Sequence, residues 1–166
     1  MKEKIVSFFL AKKLKRRTNS TAKTIGVQEV RHILLVTEEL RPELMKYASI
    51  EFGNAEIALV CKGQNKAKES TPKNVYVLNA SDFGMNGSLK SEEVINLVQR
   101  RFDIIIDLSS SDIILDYIIS KINTKLIIGS ASDENEKKIH DIFVPHLGND
   151  ETFITQAKET LNLISN

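Results

Sequence analysis

The sequence predicts an α/β domain: a three-layer αβα, Rossmann-like arrangement with a mostly parallel five- to six-stranded sheet, preceded by a basic amphipathic N-terminal helix. Three observations carry this expectation. Phe102-Asp-Ile-Ile-Ile-Asp-Leu-Ser109 sets three consecutive isoleucines between two aspartates, which marks a strand covered on both faces rather than one that alternates polar and apolar. Asp112-Ile-Ile-Leu-Asp-Tyr-Ile-Ile119 then reads as a largely covered helix and Lys125-Leu-Ile-Ile-Gly129 as a second apolar strand, which together make a right-handed βαβ unit. Finally, charge is unevenly spread. Residues 1–24 hold eight Lys/Arg against one Glu, a net of +7, while residues 25–166 hold 15 basic against 21 acidic residues, a net of −6. The expected organisation is therefore a basic helix and linker over 1–24 and a single α/β domain over 25–166.

Taken in order, residues 2–17 read as a helix, with apolar positions 5, 6, 9, 10 and 14 at helical spacing and Phe8 and Ala11 widening the face. Residues 17–22 read as a polar linker, and Ile25, Val27 and Val30 are placed to seat the next segment on the body. Ile33 to Thr37 is the first strand. A helix over 39–52 follows, with Leu40, Leu44, Tyr47, Ala48 and Phe52 as its buried stripe, Pro42 in its first turn and Gly53 as its stop. Glu56 to Cys61 is the second strand, 62–74 a polar loop, and Val75 to Leu78 the third strand. With no clear crossover helix before it, the direction of the third strand is left open.

Asn79 to Ser88 reads as a loop. Ser91 is the expected N-cap of a helix over 92–101, with Glu92 and Glu93 in its first turn. After the central βαβ unit, Asp141 to Val144 is a last strand ended by Pro145, its direction also open. Asn149 or Asp150 caps a final helix whose stripe is Phe153, Ala157, Leu161 and Ile164. The predicted strand order is 3-2-1-4-5 with a sixth strand at the edge, which puts the switch point between strands one and four, beyond Thr37 and Ser109.

Composition bounds the function classes. Hydrophobic content of 42% and charge of 27% are ordinary for a soluble globular protein. Aromatic content of 6% and the absence of Trp argue against a stacking platform for single-stranded nucleic acid. The single cysteine excludes an intramolecular disulfide and fits a reducing compartment. No stretch approaches the roughly 18 apolar residues that a membrane span needs. The apolar patch Ile5 to Ala11 precedes the basic run, the wrong order for a secretory signal, so a cytoplasmic location is expected.

The segments Phe102 to Ser109, Leu126 to Gly129 and Asp141 to Val144, with a basic N-terminal helix and a terminal helix, resemble a family of small uncharacterised bacterial proteins that has no assigned activity. This resemblance implies an α/β fold and carries no catalytic signature. A second pattern is similar to one domain of the heptosyltransferase-type glycosyltransferases, in which an aspartate-bracketed strand ends in a polar turn and the next strand ends in Gly. Here Asp103, Asp107 and Gly129 match. Those enzymes bind a nucleotide-sugar between two domains, so this likeness implies the fold alone.

Candidate ligand-binding residues follow from the switch-point rule, which places ligands beyond the carboxyl ends of the strands. They are Thr37, Ser109, Ser110, Ser111, Asp112, Gly129 and Ser130, with Glu38, Ser81 and Asp82 nearby. Ser109 to Asp112 open a helix, where unpaired backbone donors can hold an anion; the competing reading is plain capping by Ser110, Ser111 and Asp112. Neither GxGxxG nor GxxxxGK[ST] is present, so no cofactor is expected.

Asp103 and Asp107 read mainly as strand-end caps, with Asp107 a candidate lone ligand or base. His32, His140 and His146 lack metal-ligand spacing, and no metal site is expected; His146 is the histidine best placed for acid/base work. His140 and Asp141 are neighbours on a strand and so point to opposite faces. Cys61 reads as a small buried hydrophobe. On the N-terminal helix, Phe8, Phe9, Lys12, Lys13, Lys15, Arg16 and Arg17 are the candidate interface or surface-binding residues.

These observations lead first to a non-enzymatic accessory protein that self-associates as a homo-oligomer. The alternatives are a protein or enzyme that binds a phosphorylated metabolite or nucleotide near Ser109 to Asp112, and an arm over 1–24 that meets an anionic surface, membrane or nucleic acid. Converging polar groups at the strand ends would favour the metabolite reading, and a flat, well-packed surface there would favour the first.

Overall fold

The computed structural model describes residues 2–14, 25–53, 55–63, 72–110, 112–131 and 139–165. Its elements run α1 (Lys2–Lys13), β1 (His32–Thr37), α2 (Glu43–Glu51), β2 (Glu56–Lys62), β3 (Val75–Leu78), α3 (Glu92–Gln99), β4 (Arg101–Asp107), α4 (Ile113–Lys121), β5 (Asn123–Ala131), β6 (Ile142–Pro145) and α5 (Asp150–Ile164). Short 3₁₀ turns stand at Val27–Glu29 and Ala80–Asp82. The sheet has the order β3-β2-β1-β4-β5-β6. Every pairing is parallel, which resolves the directions of β3 and β6. Pro145 closes β6 at the sheet edge, where a residue without an N–H is tolerated.

Strand alternation divides the core in two. Leu34, Val36, Ala58, Val60, Ile105 and Ile127 face a layer built from α1, α3 and α4. Ile33, Leu35, Ile57, Leu59, Ile104, Ile106, Leu126 and Ile128 face α2 and α5. The unbroken apolar runs of the central strands thus come from burial on both faces. Tyr47 Oη lies 2.8 Å from Thr155 Oγ1, Lys158 reaches Glu51 at 3.2 Å, and Arg41 binds Asp150, so α2 and α5 lie side by side. Ile25 and Val30 are buried in this second layer and Val27 packs against it, as their apolar character suggested.

Four expected details are corrected. α2 begins at Glu43, with Pro42 at its N-cap position, so Leu40 precedes the helix and lies 48% exposed. In α5 the stripe is Phe153, Ile154, Ala157 and Leu161, and Ile164 is exposed. In α1 the inward residues are Val6 and Leu10, four apart, with Leu14 partly buried, whereas Phe9 points out. α1 is therefore apolar on more than one side, and its Val6–Leu10 stripe joins the core against α4. Finally, α3 stops at Gln99 because Arg101 already starts β4. Ser91 occupies the N-cap position of α3 without a side-chain cap bond. Asn149 does cap α5, accepting from Thr152 N–H at 2.9 Å, and Gly53, at φ +63°, follows the end of α2.

The amino ends of β1, β4 and β5 are tied by Asp103. Its carboxylate accepts from the N–H groups of Arg31 (2.8 Å) and His32 (3.0 Å) and pairs with Lys125 at 2.7 Å. Burial works to raise its pKa, but Lys125 and the two N–H donors outweigh burial and hold it below the ordinary carboxyl range. The folded-state pKa then lies below the unfolded one. This contribution is full above the ordinary value of about 4 and is lost as pH falls through the lowered folded value. The urea midpoint of the wild type is expected to drop more steeply below pH about 4 than that of Asp103→Asn, which lacks this group.

Candidate functional site around Asp107 and His140

The carboxyl ends of β1, β4 and β5 bring together residues far apart in sequence. Asp107 and Gly129 are register partners and continue the rows of Ile105 and Ile127 toward the α1/α3/α4 layer. Asp107 is fully buried. One carboxylate oxygen, Oδ1, accepts from Ser109 N–H at 3.0 Å and from Ser109 Oγ at 2.6 Å. The other, Oδ2, lies 2.8 Å from His140 Nε2. The His140 side chain is 2% exposed, and the Phe143 ring packs edge-on to it at 5.5 Å.

Gly129 makes room for that imidazole. A Cβ there would fall 2.0 Å from His140 Cε1 and Nδ1, far inside contact distance. Only a residue without a side chain lets the ring lie on β5 and reach across to β4. The second ring nitrogen, Nδ1, is buried with no hydrogen-bond partner among the described residues.

The polar groups around this pair are tied to one another. Thr37 Oγ1 donates to the Glu39 carbonyl at 2.7 Å. Glu38, just past β1, accepts from the Ser110 N–H at 3.0 Å and binds the Ser110 hydroxyl, so it bridges the switch point. Asp112 caps α4 through Oδ1, which accepts from Ile114 and Leu115 N–H, and its Oδ2 meets Lys62 Nζ at 2.9 Å. The first donors of α4 are thus taken by a carboxylate of the chain itself. Ser130 lies half-buried in β5, opposite Val144. Ser111, Lys15, Arg16 and Arg17, and the side chains of Lys12 and Lys13, lie outside the described residues.

Other candidates fall elsewhere. Asp82 is buried in a capping box with Asn79 at the 3₁₀ turn. His32 stands at the opposite end of the sheet, 3.8 Å from both Glu56 and Asp103. His146 lies 3.5 Å from Asp150 and tilts against Phe153. β6 begins at Ile142, so His140 and Asp141 precede the strand rather than alternate along it, and Asp141 accepts from Ile127 N–H at 2.8 Å. Burial pushes the Cys61 thiol up to about 11, so it is a protonated, buried group at neutral pH rather than a nucleophile. Among the described residues, no group of three or more His, Cys, Asp or Glu gathers to hold a metal, and no helix is long and apolar enough to cross a membrane.

The pairing of His140 with Asp107 was not read from the sequence, because 33 positions separate them. Two signals pointed toward it. Gly129 follows an apolar run inside a central strand, which marks close approach by another group. Asp107 ends a strand covered on both faces, where an ionisable side chain needs a partner.

The sequence pattern of a family of unknown function (DUF6913) matches residues 2–164. No curated protein and no solved structure matches the chain.

Proposed function

The chain belongs to that family of unknown function, and we propose that it binds a small polar molecule at the carboxyl ends of β4 and β5, where His140 meets the ligand and Asp107 positions His140. The observation that carries this reading is the buried His140 Nδ1 without a hydrogen-bond partner among the described residues. A polar atom shut away from water costs free energy unless something binds it. It lies at the strand ends beside the switch point, where open α/β sheets hold their ligands.

The chemistry follows from the pair. An ionised Asp107 can only accept, so His140 Nε2–H is the donor between them. Nδ1 then offers a lone pair in the neutral ring, or a second N–H in the imidazolium. In the neutral form it can take a proton from a bound hydroxyl or water, with Asp107 fixing the tautomer. Proton transfer at Nδ1 is the reaction class this arrangement supports if the protein is an enzyme. The capped start of α4 makes the Ser109–Asp112 turn a weaker anion site than His140, because Asp112 already occupies the donors that a phosphate would use.

The test is a thermal-shift panel of nucleotides, sugar phosphates, amino acids and small carboxylic acids, run on the wild type and on His140→Gln. Glutamine keeps an N–H donor toward Asp107 and removes Nδ1. At least one compound is expected to stabilise the wild type, by about 2.7 kcal/mol at 100 times its Kd, and to lose that effect in His140→Gln. A panel in which every compound acts equally on both proteins, or none acts at all, would count against the reading.

A further inference from the structure

The turn after β4 and the first turn of α4 commit their donors to acidic side chains of the chain itself. Ser109 N–H and Oγ donate to Asp107, and Ser110 N–H donates to Glu38 at 3.0 Å. Ile114 and Leu115 N–H donate to Asp112 at 2.9 and 3.3 Å. These are the groups that a phosphate or carboxylate ligand would use. Lys62, a cation that reaches this turn, is set against Asp112 at 2.9 Å.

The unpartnered group is an acceptor. His140 Nε2 lies 2.8 Å from Asp107, and Nδ1 of the same 2% exposed side chain has no hydrogen-bond partner among the described residues. In the neutral ring Nδ1 carries a lone pair and takes an N–H or O–H donor. The ring is bonded to one carboxylate, Asp107, while Glu38 and Asp112 are bonded to the turn that follows it. An anion brought to Nδ1 meets the field of these acidic groups. A cation gains from the same field, and it keeps the ring neutral because a second ring proton would repel it.

We propose that the ligand of this site carries a protonated amine, whose ammonium donates to His140 Nδ1, and that Glu38 and Asp112 turn away phosphates and carboxylates that lack such a group. Amino acids and their amides fit this chemistry; nucleotides and sugar phosphates do not. Selection then comes from the penalty on the wrong ligand as well as from the bond to the right one. The inference rests on the reading that His140 meets the ligand.

The experiment is calorimetric titration at neutral pH of the wild type, His140→Gln and Asp112→Asn. The probes are the standard amino acids, their amides, their N-acetyl derivatives, inorganic phosphate and AMP. Across one side chain this series runs from a net cation through a zwitterion to an anion without an ammonium. At least one amino acid is expected to bind the wild type, its amide at least as tightly and its N-acetyl derivative about tenfold more weakly. Both amines are expected to lose binding in His140→Gln. Asp112→Asn keeps a side-chain oxygen to cap α4, and in it the gap between the amine and its N-acetyl derivative is expected to narrow severalfold. An N-acetyl derivative, phosphate or AMP that binds as tightly as the amines and is lost in His140→Gln overturns the ligand class while the site stands. An amino acid that binds His140→Gln as well as it binds the wild type overturns the site, and this inference with it. No binding by any amine overturns the inference alone when another compound of the thermal-shift panel acts through His140, and overturns both when none does. An unchanged gap in Asp112→Asn overturns the part assigned to Asp112.

Discussion

Gly129→Ala is expected to destabilise the protein by about 1–3 kcal/mol, the range for leaving a buried hydrogen-bonding group without its partner. The methyl group would enter the space of the His140 ring, at 2.0 Å from Nδ1 and Cε1. The ring is 2% exposed and bonded to Asp107, so the added methyl displaces it from that bond. It has to swing away, and the fully buried Asp107 carboxylate then loses its bond to the imidazole. Urea unfolding measures the loss. The mechanism is tested by a double-mutant cycle: in a His140→Ala background the pair is already broken and the collision removed, so Gly129→Ala should cost less than about 1 kcal/mol there. Additive losses would show that Gly129 matters for a reason other than the imidazole.

Leu10→Ala is expected to cost about 2–5 kcal/mol, and Val6→Ala somewhat less, as for other fully buried aliphatic residues. Both side chains are fully buried in the cluster with Phe83, Tyr117 and Ile118. It follows that removing residues 1–24 uncovers the face of α4 on which α1 lies, and the shortened chain should lose cooperative unfolding or aggregate. Phe8→Ser, one turn-face away and 56% exposed, should change stability by less than about 0.5 kcal/mol. Thermal or urea unfolding of the three single variants separates the two faces of the helix. Equal losses at Leu10 and Phe8 would mean that α1 does not sit as described.

The sheet was legible because its physics is local. Ile104 to Ile106 and Leu126 to Ile128 are buried from both sides, so their sequences carry no polar alternation, and right-handed crossovers then leave few strand orders open. The misplaced details share one cause: they depend on which neighbour a face meets. Leu40 is apolar and near α2 in sequence, but Pro42 starts the helix too late to turn it inward. Phe9 fits a helical stripe with Ile5, yet α4 meets the Val6–Leu10 side of α1. The site was hardest to see for the same reason. Thr37, Ser109, Ser110, Asp112 and Gly129 were placed at the strand ends by topology alone. His140 reaches Asp107 only because β5 and β4 are in register at Gly129, a fact no local pattern contains.

In the proposed site a buried Asp107 holds His140 through Nε2 and leaves Nδ1 for a ligand. The most direct measurement is a long-range proton–nitrogen NMR spectrum of the protein with ¹⁵N-labelled histidine, compared with Asp107→Asn and with the wild type plus any compound that stabilises it. A His140 ring protonated at Nε2 is expected, with a change in that signal in Asp107→Asn and a shift at Nδ1 when the compound is added. A His140 signal that averages between tautomers like a free imidazole, unchanged by Asp107→Asn, would contradict it.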